Sequence, residues 1–332
     1  MTEQIGVGGL TVELKLTKFD KRLIQRYRAE TVYCRYGQMA SIGRRQGKAI
    51  SFRGMASIYP AGTAGSGSNA SAPAALTEGT FPAAIQGTWI EIQATISQYG
   101  QVMRFSDLAE EQSIDDIVPE TTENLSESMK DALDLLTRDV LMAGTNVQYA
   151  SIAATRGGAS GVGSGMFLNL AELREAIRTL KRNNVPPIAG NKYVAIGHVN
   201  TTYDLQDDPN ITNIYQFGAS ERRQDELFGD AFEDLPFGIR WVETTNARIF
   251  SSAGLSAMDV YGTLVMGRGG YGVIDLAALP ARIITKDRGS SGISDPLDQV
   301  ATVGWKAAHA AVILKQEAVV RIEHGTSAMT MG

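Results

Sequence analysis

Residues 49–144 constrain the fold more than any other stretch of the chain. Ala49–Phe52 alternates, with Ile50 and Phe52 on one side of an extended segment. From Gly54 to Thr77 there is no charged residue, and residues 61–80 contain 13 Gly, Ala or Ser. A second alternating segment returns at Trp89–Phe105, where Ile90, Ile92, Ala94 and Ile96 interleave with Glu91, Gln93, Thr95 and Ser97. A period of two marks a strand with one buried face. Composition alone would make the connection a disordered linker. The strands on both sides argue instead for a long two-stranded loop, and long loops in ordered proteins carry function. So little apolar material over so long an excursion has nothing of its own to fold onto. The pattern suits a chain that lays an arm over neighbouring copies better than a compact catalyst.

A long helix is predicted over 120–143. Leu125, Met129, Ala132, Leu133, Leu136, Val140 and Ala143 recur at three- and four-residue spacing, and Gly144 stands where a left-handed C-terminal cap belongs. Such a helix is about 36 Å long. Its apolar stripe is narrow, which predicts a helix lying across a sheet. A second helix is capped by Asn169, with Glu172 three residues on and Leu170, Leu173, Ile177 and Leu180 on its face; Asn183–Pro187 end it. Residues 17–33 form an amphipathic helical pattern around Phe19, Leu23, Ile24 and Tyr27. Beyond Lys192 the chain alternates short strands with turns: Tyr193–Ile196, Ile239–Val242, Val260–Met266, Val273–Ile274, Ala281–Thr285, Thr302–Lys306, Ala310–Leu314 and Ala318–Ile322. The class is α+β.

Charge is distributed unevenly. Residues 1–53 hold 11 Lys/Arg against 4 Asp/Glu, and the rest holds 20 against 32, giving +7 and −12 within a net −5. Residues 107–139 carry 11 carboxylates with only Lys130 and Arg138 as cations. Charge runs are usually solvated faces; here their opposite polarity also suggests pairing within or between subunits. The single cysteine, Cys34, excludes an intramolecular disulfide and suits a reducing compartment. Met1–Leu10 has no signal-peptide pattern, and no apolar run approaches the ~18 residues of a membrane span.

Little here supports catalysis. The glycine clusters Gly62–Gly67, Gly157–Gly165 and Gly267–Gly272 lack a Lys-Ser/Thr ending and a strand-to-helix setting, so none reads as a nucleotide loop. His198, His309 and His324 are far apart in sequence. The best metal candidate is His198 with Asp204, Asp207 and Asp208. The better account is a short helix, Tyr203–Gln206, capped by Thr201 or Thr202 and ended by an Asp-Asp-Pro turn. Cys34 beside Arg35 reads as a packed thiol. Tyr27, Tyr33 and Tyr36 interleave with Arg26, Arg28 and Arg35, a mixture found in single-strand binders and in protein contacts alike. No catalytic, cofactor or metal residues are assigned.

Several segments are also family-like: Leu76–Gly79, Glu91–Asp107, Leu133–Ala150, Tyr193–Pro209 and Asp295–Ile322. Their order resembles that of the major capsid proteins of tailed bacteriophages, of the N-four-like podovirus family. The resemblance implies the Hong Kong ninety-seven phage-type capsid fold. It implies an N-terminal arm (1–48), an extended loop (49–104), a spine helix with peripheral domain (105–189), an axial domain (190–280) and returning strands of the body (281–332). It further implies pentamers and hexamers of an icosahedral virion shell, built in the host cytoplasm around double-stranded DNA that it touches without reading sequence. A separate scaffolding protein, a portal and decoration proteins are the implied partners, with no cofactor, no membrane and no enzymatic activity. From the charge pattern, Arg22, Arg26, Arg44, Arg45 and Lys48 are expected to meet Asp115, Asp116, Glu123, Glu127 and Asp131 of a neighbour. An encapsulin-like compartment and a cytoplasmic α+β enzyme are the competing readings.

Overall fold

The computed structural model describes residues 31–327, apart from 44, 46, 56–74, 77, 80, 82–86, 113–116, 189, 212–233, 236, 277–280 and 291–296. Along the chain run strands β1 (Gln38–Ile42), β2 (Ala49–Met55), β3 (Trp89–Thr95) and β4 (Ser97–Ser106), then helices α1 (Asp107–Gln112) and α2 (Ile117–Met142). β5 (Val147–Tyr149), α3 (Leu170–Arg182), β6 (Tyr193–Gly197) and α4 (Val199–Gln206) follow. The remainder is strand: β7 (Asp234–Leu235), β8 (Ile239–Glu243), β9 (Ile249–Phe250), β10 (Val260–Met266), β11 (Tyr271–Leu276), β12 (Arg282–Lys286), β13 (Val300–Ile313) and β14 (Val319–His324). The predicted helix over 17–33 lies outside the described residues except for 31–33, which are not helical.

These elements form two sheets and a hairpin. One sheet runs β1-β11-β13-β12, with β4 also on β13; the other runs β5-β14-β10-β6-β8-β7, with β9 on β10. β13 is the organiser of the first sheet. The two strands expected at Thr302–Lys306 and Ala310–Leu314 are one strand of 14 residues, because β4 pairs along it from Val300 to His309 without a break. On the second sheet, α3 packs Leu173, Ala176, Ile177 and Leu180 against Val265, Val320 and Ile322. Its Asn169 cap accepts from the Glu172 amide at 3.0 Å, as the sequence predicts.

α2 lies across the first sheet, where Leu125 is buried on Val303, Trp305 and Ala307, with Met129, Ala132 and Leu133 beside it. Its C-terminal half departs from expectation. The buried positions are Asp134, Thr137, Leu141 and Met142, whereas Leu133, Leu136 and Val140 are only half-buried. The inward face is therefore turned by one residue, about 100° of helix rotation, and two of its four members, Asp134 and Thr137, are polar. Gly144 is not left-handed either. Its need is space: a Cβ there would stand 3.2 Å from the Leu141 carbonyl and 3.3 Å from Ile313.

The segment expected as one strand over Trp89–Phe105 is two strands in two different sheets. β3 pairs with β2 from Ala49↔Thr95 to Met55↔Trp89. After Ile96 the chain becomes β4 and joins the body. A continuous sequence alternation cannot show where a strand changes partner.

Candidate assembly surfaces

Burial along the hairpin falls off steadily. At its root Ala94 and Ile96 are 5% and 6% exposed, packed with Ile42, Ile274 and Ala308. Farther out, Ile90 is 50% exposed, Met55 54% and Trp89 72%. Ile90 has the same phase as Ala94, so the change arises from position along the arm and not from side-chain direction. Phe52 holds the root, its ring 3.1 Å from where a Gly272 Cβ would lie. Large apolar side chains held out on a two-stranded arm mark a contact surface, since an isolated hairpin is marginal in water.

Residues 32–34 are fixed by a device the sequence reading missed. Asp134, fully buried on α2, accepts the Val32 amide at 3.1 Å and the Cys34 amide at 3.0 Å. The Tyr271 hydroxyl donates to the Tyr33 carbonyl at 2.5 Å. The Cys34 thiol lies 3.3 Å from the Thr137 hydroxyl, which in turn lies 3.0 Å from Nε2 of His309. Residues 32–34, α2 and both central strands β11 and β13 thus share one buried polar network. Burial raises the Asp134 carboxyl above the usual range, against the lowering effect of the amides it accepts. Burial pushes the Cys34 thiol up to about 11, so Cys34 is a packed and unreactive cysteine. The signal that could have found Asp134 is its own spacing, with Thr137 three residues on and Leu141 seven.

The acidic segment is only partly a free surface. Glu110 holds Arg288 at 2.7 Å, and Asp139 holds Arg138 at 2.7 Å and Arg248 at 3.5 Å. Glu123 and Glu127 line an open groove of about 600 Å³ beside β12, with Val118, Thr122, Lys130 and Ile283. Of the other residues expected at the interface, Arg45 and Lys48 are exposed and Asp131 is half-buried. Arg22, Arg26, Arg44, Asp115 and Asp116 lie outside the described residues.

The histidine and glycine candidates have structural tasks. His198, not Thr201 or Thr202, caps α4, its Nδ1 accepting from the Asn200 amide at 3.1 Å. The helix therefore starts at Val199 rather than at Tyr203. Asp204 accepts from Ser327, and Asp208 accepts the first amide of α3, from Leu170, at 2.8 Å. Among the described residues no three His, Cys, Asp or Glu are grouped to hold a metal ion. His324 is fully buried between Thr263 (2.9 Å) and the Gly325 carbonyl (2.8 Å). Gly267 and Gly270 make room for Val185 and Val319, and Gly157 for the Ala253 carbonyl. Gly158, Gly165 and Gly269 have positive φ and open space where a Cβ would lie, and Gly62–Gly67 lies outside the described residues. Among the described residues no helix is long and apolar enough to cross a membrane.

A long helix laid across one sheet, a second sheet and a two-stranded hairpin make up an α+β fold of the Hong Kong ninety-seven phage type, shared with solved phage capsids. A family model described as phage capsid protein matches residues 87–322. The chain belongs to this phage capsid protein family. Among solved structures, the cyanophage Pam1 capsid is similar with a TM-score of 0.69 at 13% identity, over 96% of this chain and 98% of that one. The capsid of cyanophage P-SCSP1u gives 0.67 at 14% identity, covering 95% and 94%. The capsid of Ralstonia phage GP4 gives 0.66 at 12% identity, covering 98% and 99%. No curated protein sequence matches the chain.

Proposed function

We propose that this phage capsid protein is the major capsid protein of a tailed phage. In this reading its copies close as pentamers and hexamers into an icosahedral head around double-stranded DNA. The observation that carries the reading is the hairpin, whose outer half holds Met55, Trp89 and Ile90 in water unless another copy covers them. The segment order further supports an N-four-like podovirus relative, with a separate scaffolding protein, a portal, decoration proteins and assembly in the host cytoplasm. The chain then divides into the arm (1–48), extended loop (49–104), spine and peripheral region (105–189), axial domain (190–280) and returning strands (281–332). The cations Arg22, Arg26, Arg44, Arg45 and Lys48 meet the neighbour's Asp115, Asp116, Glu123, Glu127 and Asp131. Exposed pairs are each worth about 0–1 kcal/mol, so they act as a set.

Expression with and without the phage's scaffolding protein, followed by sizing and negative-stain microscopy, tests the reading. Closed shells of hundreds of copies support it. A small stable oligomer under both conditions overturns it.

A further inference from the structure

The first sheet is differently charged on its two faces. Val303, Trp305 and Ala307 of β13 and Ile283 of β12 lie against α2, whose Glu123 and Glu127 line the groove beside Ile283. Strand alternation turns the residues between them to the other side. There the register sets three rows across β4, β13 and β12. Arg104 stands opposite Thr302, and Thr302 opposite Lys286. Val102, Gly304 and Ile284 form the middle row. Gly100, Lys306 and Arg282 form the third. Arg104, Arg282 and Lys286 are exposed and Lys306 is half-buried. No row contains a carboxylate, and among the described residues none of the four cations is in an ion pair.

The middle row is apolar. Val102 is 68% exposed, and its methyl group lies 2.9 Å from where a Gly304 Cβ would stand. The two cation rows are four residues apart along the strands, about 13 Å, and β4 lies about 10 Å from β12. Two rows of like charge flanking an apolar strip have a definite complement: carboxylates at that spacing, with apolar side chains between them. A phosphate backbone answers the cations but offers nothing to Val102 and Ile284. The hairpin root packs on Ala308 of this same face, so the surface is continuous with the arm that the capsid reading assigns to protein contacts. The carboxylates of α2 are on the far face of the sheet. In a wall of copies sharing one orientation, every α2 stays on the side away from every cation row.

We propose that this face of β4, β13 and β12 docks an acidic protein other than this chain, through carboxylates set on either side of an apolar strip. The inference rests on the capsid reading above, in which the shell carries further head proteins, and adds to it a docking surface and the chemistry of its partner.

The probe is a fluorescein-labelled peptide of repeated Glu-Ser-Val-Ser-Glu units, titrated with assembled particles at low salt and read by fluorescence anisotropy. Wild-type particles should bind it. Arg104→Gln with Lys306→Gln should weaken binding about tenfold, the worth of two exposed pairs, with circular dichroism and particle yield unchanged. Val102→Ser should weaken it too. Wild-type particles that do not bind the peptide, or equal affinity in the double variant, overturn the inference and leave the capsid reading intact. A short DNA duplex that displaces the peptide at equal charge concentration marks the face as a nucleic-acid surface and also overturns it. So does a double variant whose folded subunits form no particles, since the face is then a contact between copies. A wild-type chain that forms no particles with its scaffold removes the capsid reading, and this inference with it.

Discussion

Asp134 replaces water for the backbone amides of Val32 and Cys34. Removing the carboxylate strands buried donors, a loss of about 1–3 kcal/mol per group. Asp134→Ala should therefore lower unfolding free energy by roughly 2–4 kcal/mol in denaturant titration. It should also speed tryptic cleavage at the arm's Lys and Arg residues. Unchanged cleavage would show that the arm root is held by Val32 and Tyr33 packing alone. His324 makes a second residue-scale prediction. Complete burial, opposed by the Gly325 carbonyl, pulls its pKa down to about 4 from 6.5. The unfolded chain then binds the extra proton across that interval. Stability from this group is fully present above pH 6.5 and falls as pH drops to about 4, by about 3 kcal/mol in all. In His324→Gln the decline over that window should be shallower, measured by denaturation at a series of pH values.

The hairpin and the spine helix illustrate different rules at the scale of elements. The hairpin's inner half is stabilised by the body through Phe52, Ala94 and Ile96. Its outer half contributes almost nothing to the lone subunit. Trp89→Ser with Met55→Ser should thus change monomer stability by no more than about 0.5 kcal/mol while abolishing particles in the assembly assay. A destabilised monomer would mean that the hairpin folds back on its own body. The spine helix shows the converse: its N-terminal half obeys the apolar stripe, and its C-terminal half buries Asp134 and Thr137. Periodicity counts apolar residues, and it has no means of registering a carboxylate whose partners are amides a hundred residues away.

Across the whole molecule, charge separation is the feature with the longest reach. Under the charge-pairing proposal, the positive residues 1–53 and the negative residues 107–139 make contacts between copies that are sensitive to salt. Arg44→Glu with Arg45→Glu should leave the monomer folded, judged by circular dichroism, and prevent shell formation; intact shells from this double variant would remove the charge-pairing proposal. Local sequence was enough to determine the α+β class, the Asn169-capped helix, the position of α2 and the existence of a two-stranded arm. Each follows from spacing and capping that neighbouring residues settle among themselves. Four things were decided only by the tertiary structure: the transfer of β4 to β13, the single 14-residue β13, the turned inner face of α2 and the Asp134 anchor. Each depends on which distant backbone groups arrive to be satisfied, and that is a property of the assembled chain rather than of any window within it.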